Sequence, residues 1–232
     1  EAYYFAPQKM TKVMNEGWAS IYESLMMSEE GFASENEFLT YADHQSRVLG
    51  SPGLNPYKLG KELWEYIENT ANRREVVDKL LRVEGITWRN FHDKLDFDRV
   101  RSLLEPDPRI DRITPQTVDE LQTLPDDDPR VDWETLDRAL SNPESVDIDQ
   151  YPWKVLTYEG LASRHFSLVK PQNRGFISQI RHEELEQLDR YLFDSDRYDT
   201  VEAALEEVSK TAGWERMLEV RESHNDVTFI DE

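Results

Sequence analysis

The sequence predicts a mainly α, multi-helical protein, and two observations carry that reading. Apolar residues recur at helical spacing through residues 1–105 and again near the C-terminal end, and Gly or Pro clusters fall between the stripes. Met10, Val13, Met14, Gly17, Trp18, Ile21 and Leu25 form the first stripe, with Pro7 at an early helical position and Gly31 beyond its end. A second helix is predicted over 35–49, stopped by Gly50-Ser51-Pro52-Gly53. Asn55-Pro56 then reads as an N-cap followed by Pro at the first helical position, ahead of Leu59, Leu63, Trp64, Ile67 and Ala71. Arg73 to Glu84 reads as a separate helix ended by Gly85, and Thr87 as the cap of another carrying Trp88, Phe91 and Leu95.

The texture changes between Glu105 and Pro152. Seven of the eleven prolines fall there, with fourteen Asp/Glu against four Lys/Arg. The division expected is a helical region over 1–105, an acidic Pro-rich connector with short helices over 106–152, and a second, mainly helical region over 153–232. In the connector Thr114-Pro115 and Asp132-Trp133 start short helices. Its apolar residues (Ile110, Val118, Leu121, Val131, Trp133, Leu136 and Leu140 among them) are read as too few for a core of their own. Residues 153–180 admit helix or strand, so minor β structure stays open there. His182 to Leu192, Val201 to Lys210 behind an Asp199/Glu202 capping box, and Trp214 to Arg221 are read as helices.

Composition narrows the function classes. With 48 Asp+Glu against 27 Lys+Arg the formal net charge is −21, which disfavours nucleic acid or an anionic membrane surface as partner. No Cys is present, so thiol nucleophiles, disulfides and Cys-zinc sites are excluded. There is no run of about eighteen apolar residues and no secretory signal, and a cytoplasmic location is expected. The chain has no initiator Met and is read as part of a longer protein. Nine Lys against eighteen Arg under so large a carboxylate excess points to a halophilic source, because the Debye length falls to about 3 Å in 1 M salt.

The segment that stands out for chemistry is Asn15-Glu16-Gly17-Trp18-Ala19-Ser20. Gly inside a helix costs up to about 1 kcal/mol relative to Ala, so Gly17 implies close approach of another backbone or a ligand. On a helical wheel Glu16 lies well away from the apolar stripe, beside Lys12 and Ser20. Two readings therefore stand: a solvated carboxylate paired with Lys12, or a metal ligand. The hexapeptide is similar to the Asn-Glu-Gly-aromatic-Ala stretch of gluzincin metallopeptidases, in which the Glu is the third zinc ligand. No HExxH or HxxxH is present, and His44, His92, His165, His182 and His224 are scattered singly. His44 reads as a surface histidine or as a pocket residue near Glu16. Tyr57 reads as a core anchor or as a phenol for an oxyanion. His92 is expected to be packed, and His165 and His182 solvated.

A longer resemblance frames these residues. Tyr4-Phe5-Ala6-Pro7-Gln8, Thr11-Lys12 and Met14-Asn15-Glu16-Gly17-Trp18-Ala19, then His44, Gly53-Leu54-Asn55-Pro56-Tyr57-Lys58, and finally His224-Asn225-Asp226 with Phe229, resemble the SpoVR family, named for a stage V sporulation protein. The resemblance covers roughly 1–105 and 150–232, and the chain departs from it at Glu23, where members often carry a His. It implies a gluzincin-like helical core whose HxxGH-type segment lies upstream, with Glu16 and, less directly, His44 as metal ligands and zinc as the cofactor. It also implies Asn15, Gly17, Trp18, Glu23 and Tyr57 as pocket residues, and a link to sporulation, cell-envelope or stress functions. A serine protein kinase and a von Willebrand A-type protein are the partners it implies. The segment in hand, lacking two ligands, is expected to be inactive by itself, and a non-catalytic regulator or scaffold is the alternative.

Overall fold

A computed structural model describes residues 2–29, 35–105, 113–192 and 196–232, and among them all regular structure is helical. In chain order the α-helices are α1 (Ala2–Met10), α2 (Lys12–Ser24), α3 (Glu35–Leu49), α4 (Pro56–Leu81), α5 (Phe91–Lys94), α6 (Phe97–Leu103) and α7 (Thr117–Leu121). They continue as α8 (Trp133–Ser141), α9 (Tyr158–Arg164), α10 (His182–Asp189), α11 (Val201–Glu206), α12 (Ala212–Ser223) and α13 (Asp226–Asp231). Helix α4 is the spine against which α2, α10, α11 and α12 pack. The first half of the mainly α expectation holds at element level: α3 has the predicted bounds, and α4 starts at Pro56 with Asn55 accepting from the Tyr57 and Lys58 amides.

Several expectations are corrected. Pro7 lies inside α1, not at the start of the stripe helix; the break falls at Thr11, whose hydroxyl donates to the Pro7 carbonyl at 2.9 Å. The two helices read between Asn55 and Glu84 are one helix of 26 residues. No Gly or Pro interrupts it after Gly60, and its buried positions run unbroken through Trp64, Glu68, Asn72, Val76 and Leu80 at i, i+4 spacing. Thr87 does not cap; Asn90 precedes α5 and accepts from the Thr87 amide at 2.8 Å. Thr200, not Asp199, caps α11 by accepting from Ala203. Residues 153–180 form short helical turns and α9, with no strand among the described residues; two isolated bridges, Val83 with Tyr198 and Val131 with Leu156, are all the β pairing described.

The three largest apolar clusters among the described residues organise the packing. One surrounds the C-terminal half of α4 (Val76, Leu80, Phe91, Leu104, Phe166, Leu185), and one surrounds its N-terminal half with α2, α12 and α13 (Met14, Ile21, Trp64, Ile67, Val220, Phe229). The third lies in the acidic segment, against expectation. Leu121, Leu124, Val131, Leu136 and Ala139 close on Val155 and Leu156, with Trp133 and Trp153 packed around them. The apolar residues that complete this core come from beyond the Pro-rich stretch, which is why a count confined to it fell short. Asp132 caps α8 as predicted, accepting from the Thr135 amide. Gly31 and Ile110, both used in the sequence reading, lie outside the described residues.

Candidate functional site

The Asn-Glu-Gly-Trp-Ala motif sits where α2 crosses α4, and the crossing is closed by two glycines. A Cβ built on Gly17 would lie 2.2 Å from the Gly60 carbonyl carbon, and one built on Gly60 would lie 2.1 Å from the Val13 carbonyl oxygen. Only backbone fits there, so Gly17 marks a close approach of two helices. Trp64 of α4 donates from its indole to the Met14 carbonyl at 2.9 Å, and its ring packs on Phe229 and Trp18. The far C-terminal His-Asn-Asp segment reaches the same helix. Asp226 accepts from the amides of Val13 (3.0 Å) and Met14 (2.9 Å), two otherwise orphaned donors at the start of α2. Asn225 caps α13 in a reciprocal box with Thr228, which fixes Asp226 in place.

On this crossing Glu16 is half-buried, and its carboxylate lies beside the Tyr57 phenol, whose pKa hydrogen bonding and charge from Glu16 push up from its ordinary value of 10.0. The two residues that sequence reasoning nominated separately are thus brought together, because Tyr57 occupies the first turn of α4 just before Gly60. The other candidates divide. Asn15 is exposed and donates to the Thr11 hydroxyl at 3.0 Å, while Trp18 packs against Trp64 and Tyr22, with Arg221 over its ring at 4.6 Å. Glu23, two turns along α2, accepts from Gln45 of α3 at 2.8 Å. It lines an open depression with His44, Tyr41 and Met27, so exposed His44 is grouped with Glu23 and not with Glu16.

A catalytic zinc takes three protein ligands and keeps one position open. Among the described residues no group of three or more His, Asp or Glu side chains is placed to hold a metal ion. Glu16 can serve as one carboxylate donor, and the described residues do not complete a coordination sphere around it.

Sequence reasoning missed a second polar centre, buried between α2, α4 and the turns after α9. Glu68 and His165, 2% and 5% exposed, stand 3.3 Å apart, Oε1 to Nε2, and the Lys170 ammonium lies 3.1 Å from both ring nitrogens. His165 is therefore not solvated, as its neighbouring charges in sequence had implied; its ring meets Trp214 edge-on at 5.4 Å. Asn72 ties the centre together by donating to Ser167 Oγ and accepting from the Gly213 amide, each at 2.7 Å. The signal was present, since Glu68 and Asn72 occupy the same row of α4 as Trp64 and Val76. Burial and the Glu68 carboxylate outweigh Arg221 and push the Tyr22 phenol up to about 12. His92 is partly buried against Phe91 and Phe97 as expected, and His182 is exposed.

A helical protein built on a glycine-closed crossing, with an Asn-Glu-Gly-Trp-Ala motif at that crossing, is the class these features define. Residues 1–99 match the family described as SpoVR like protein. It is similar to the Uncharacterized protein YcgB of Escherichia coli (strain K12), at 32% identity over 87 residues. That similarity covers 33% of this chain and 17% of the relative, so the chain spans about a sixth of the relative's length. No solved structure matches. The family match ends at residue 99, and the Asp226 contact with α2 is what joins the later His-Asn-Asp segment to it.

Proposed function

We propose that the Glu16–Tyr57 pair is this chain's contribution to a metal-dependent, hydrolase-type centre of a longer SpoVR-like protein. Glu16 is the carboxylate ligand of a divalent ion such as zinc, and Tyr57 is a hydrogen-bond donor beside it. The observation that carries the reading is the pairing itself. Glu16 is engaged by a phenol on a crossing with no slack, in place of the exposed Lys12 partner. A bound divalent ion would supply Lewis acidity toward a carbonyl oxygen. Among the described residues Glu16 is the one carboxylate assigned to that ion. The imidazoles of the centre belong to the remainder of the longer protein, whose cytoplasmic setting and sporulation, cell-envelope or stress role follow the family resemblance.

The second reading is a non-catalytic regulator or scaffold working with a serine protein kinase and a von Willebrand A-type protein. It is favoured by the aromatic surface of α1, where Tyr3, Tyr4 and Phe5 are 97%, 82% and 46% exposed. Metal analysis of the complete protein and its Glu16→Ala variant separates the two. Stoichiometric zinc that is lost in the variant supports the first reading. A metal-free wild type, with partner binding unchanged in the variant, contradicts the first and supports the second.

A further inference from the structure

A pocket of about 120 Å³ opens where the end of α2 meets α9 and α12, apart from the Glu16 crossing. Trp214 and Ala162 form its floor, Tyr22 and Trp153 its walls, and Tyr158 with Met26 its rim, 43% and 39% exposed. Tyr22 and Tyr158 both meet Trp214 at steep angles, with ring centroids at 5.1 and 5.8 Å. We propose that this pocket binds a quaternary or methylated ammonium group, caged by the rings of Tyr22, Trp153, Tyr158 and Trp214.

Three observations select that class over a plain apolar side chain. Half of the lining residues are aromatic, and a cation is drawn to ring faces by their quadrupole. The charge is complementary at the lining: no Lys, Arg or His lines the pocket, the chain carries −21, and the Glu68 and Glu215 carboxylates act on the Tyr158 phenol, while Arg221, which acts on Tyr22, lies outside the lining over the Trp18 ring. Tyrosine phenols are neutral around pH 7, and burial raises those of Tyr22 and Tyr158 further, so the cage attracts a cation through its ring faces. A bare lysine ammonium is excluded, since no carboxylate or carboxamide lines the wall to replace its water; a methylated cation, weakly hydrated, has no such need.

The test is a tryptophan-fluorescence titration of the chain, at constant ionic strength, with choline and with its neutral isostere 3,3-dimethylbutan-1-ol. A saturable response to choline at least tenfold tighter than to the alcohol is expected. Equal affinity for the two, a difference under tenfold, or no saturable response to choline overturns the proposal. Trp214 also packs the core, so the variant used is rim Tyr158→Leu, with Tyr158→Phe as the conservative control. Leu should weaken choline binding at least fivefold and Phe should restore it; unchanged binding in the Leu variant contradicts a cage.

Discussion

Glu16 and Glu68 make opposite use of a carboxylate on facing helices. Glu16 lies in the most distinctive motif of the chain, is half-exposed, and has a phenol for a partner. Glu68 lies in no motif, is 2% exposed, and faces the His165 ring at 3.3 Å across a buried interface, with Lys170 beside that ring. A buried charge is tolerated only when paired, and losing one partner is costly. A half-exposed carboxylate adds little to stability, which leaves Glu16 free for the role proposed above. The conspicuous residue carries the proposed chemistry, and the inconspicuous one packs inside the fold.

The contrast can be broken most sharply at the buried centre. His165→Leu should cost about 3 kcal/mol, read from the denaturant midpoint, because it leaves Glu68 without its imidazole. Replacing both, Glu68→Met with His165→Leu, should cost less than the single change; a single variant of wild-type stability would remove the structural role assigned to the pair. Next in size is the crossing. Gly17→Ala should lose about 2 kcal/mol by forcing apart backbones that leave no room for a Cβ, and should disturb Glu16 and Tyr57 together. If it unfolds at the wild-type midpoint, α2 does not seat on α4 as described. Asp226→Ala should cost about 1 kcal/mol by freeing two amides at the start of α2, and a loss confined to α13 would argue against that contact.

A further effect is expected in alkali. The folded state holds the Tyr22 phenol near 12, above its ordinary 10.0, and so favours the protonated form. Its contribution to stability is complete below about pH 10 and is lost as pH rises toward 12. Tyr22→Phe should flatten that loss, and an unchanged alkaline limb would place the sensitivity elsewhere, with Tyr158 the next phenol to replace.

Much of the scaffold was legible in residue order. Asn55-Pro56 set the start of α4, the breaker cluster at 50–53 set the end of α3, and Gly17 announced a close approach that Gly60 answers. The site was legible in part. Glu16 and Tyr57 were both nominated, but their pairing depends on the angle at which α2 crosses α4, which spacing along one helix does not fix. Glu68 was overlooked because one polar residue on an apolar row reads as noise until its partner is known, and His165 is supplied from far along the chain. The acidic core was missed for the same reason: its closing residues, Val155 and Leu156, lie past the segment whose composition had seemed too polar.

The division of labour between the two carboxylates is tested most directly by Glu16→Gln in the complete protein, with the unfolding midpoint and the bound divalent metal measured on one preparation. A midpoint within about 0.5 kcal/mol of wild type together with loss of the metal is the expected result. A metal content equal to wild type, or a stability loss as large as that of His165→Leu, would contradict it.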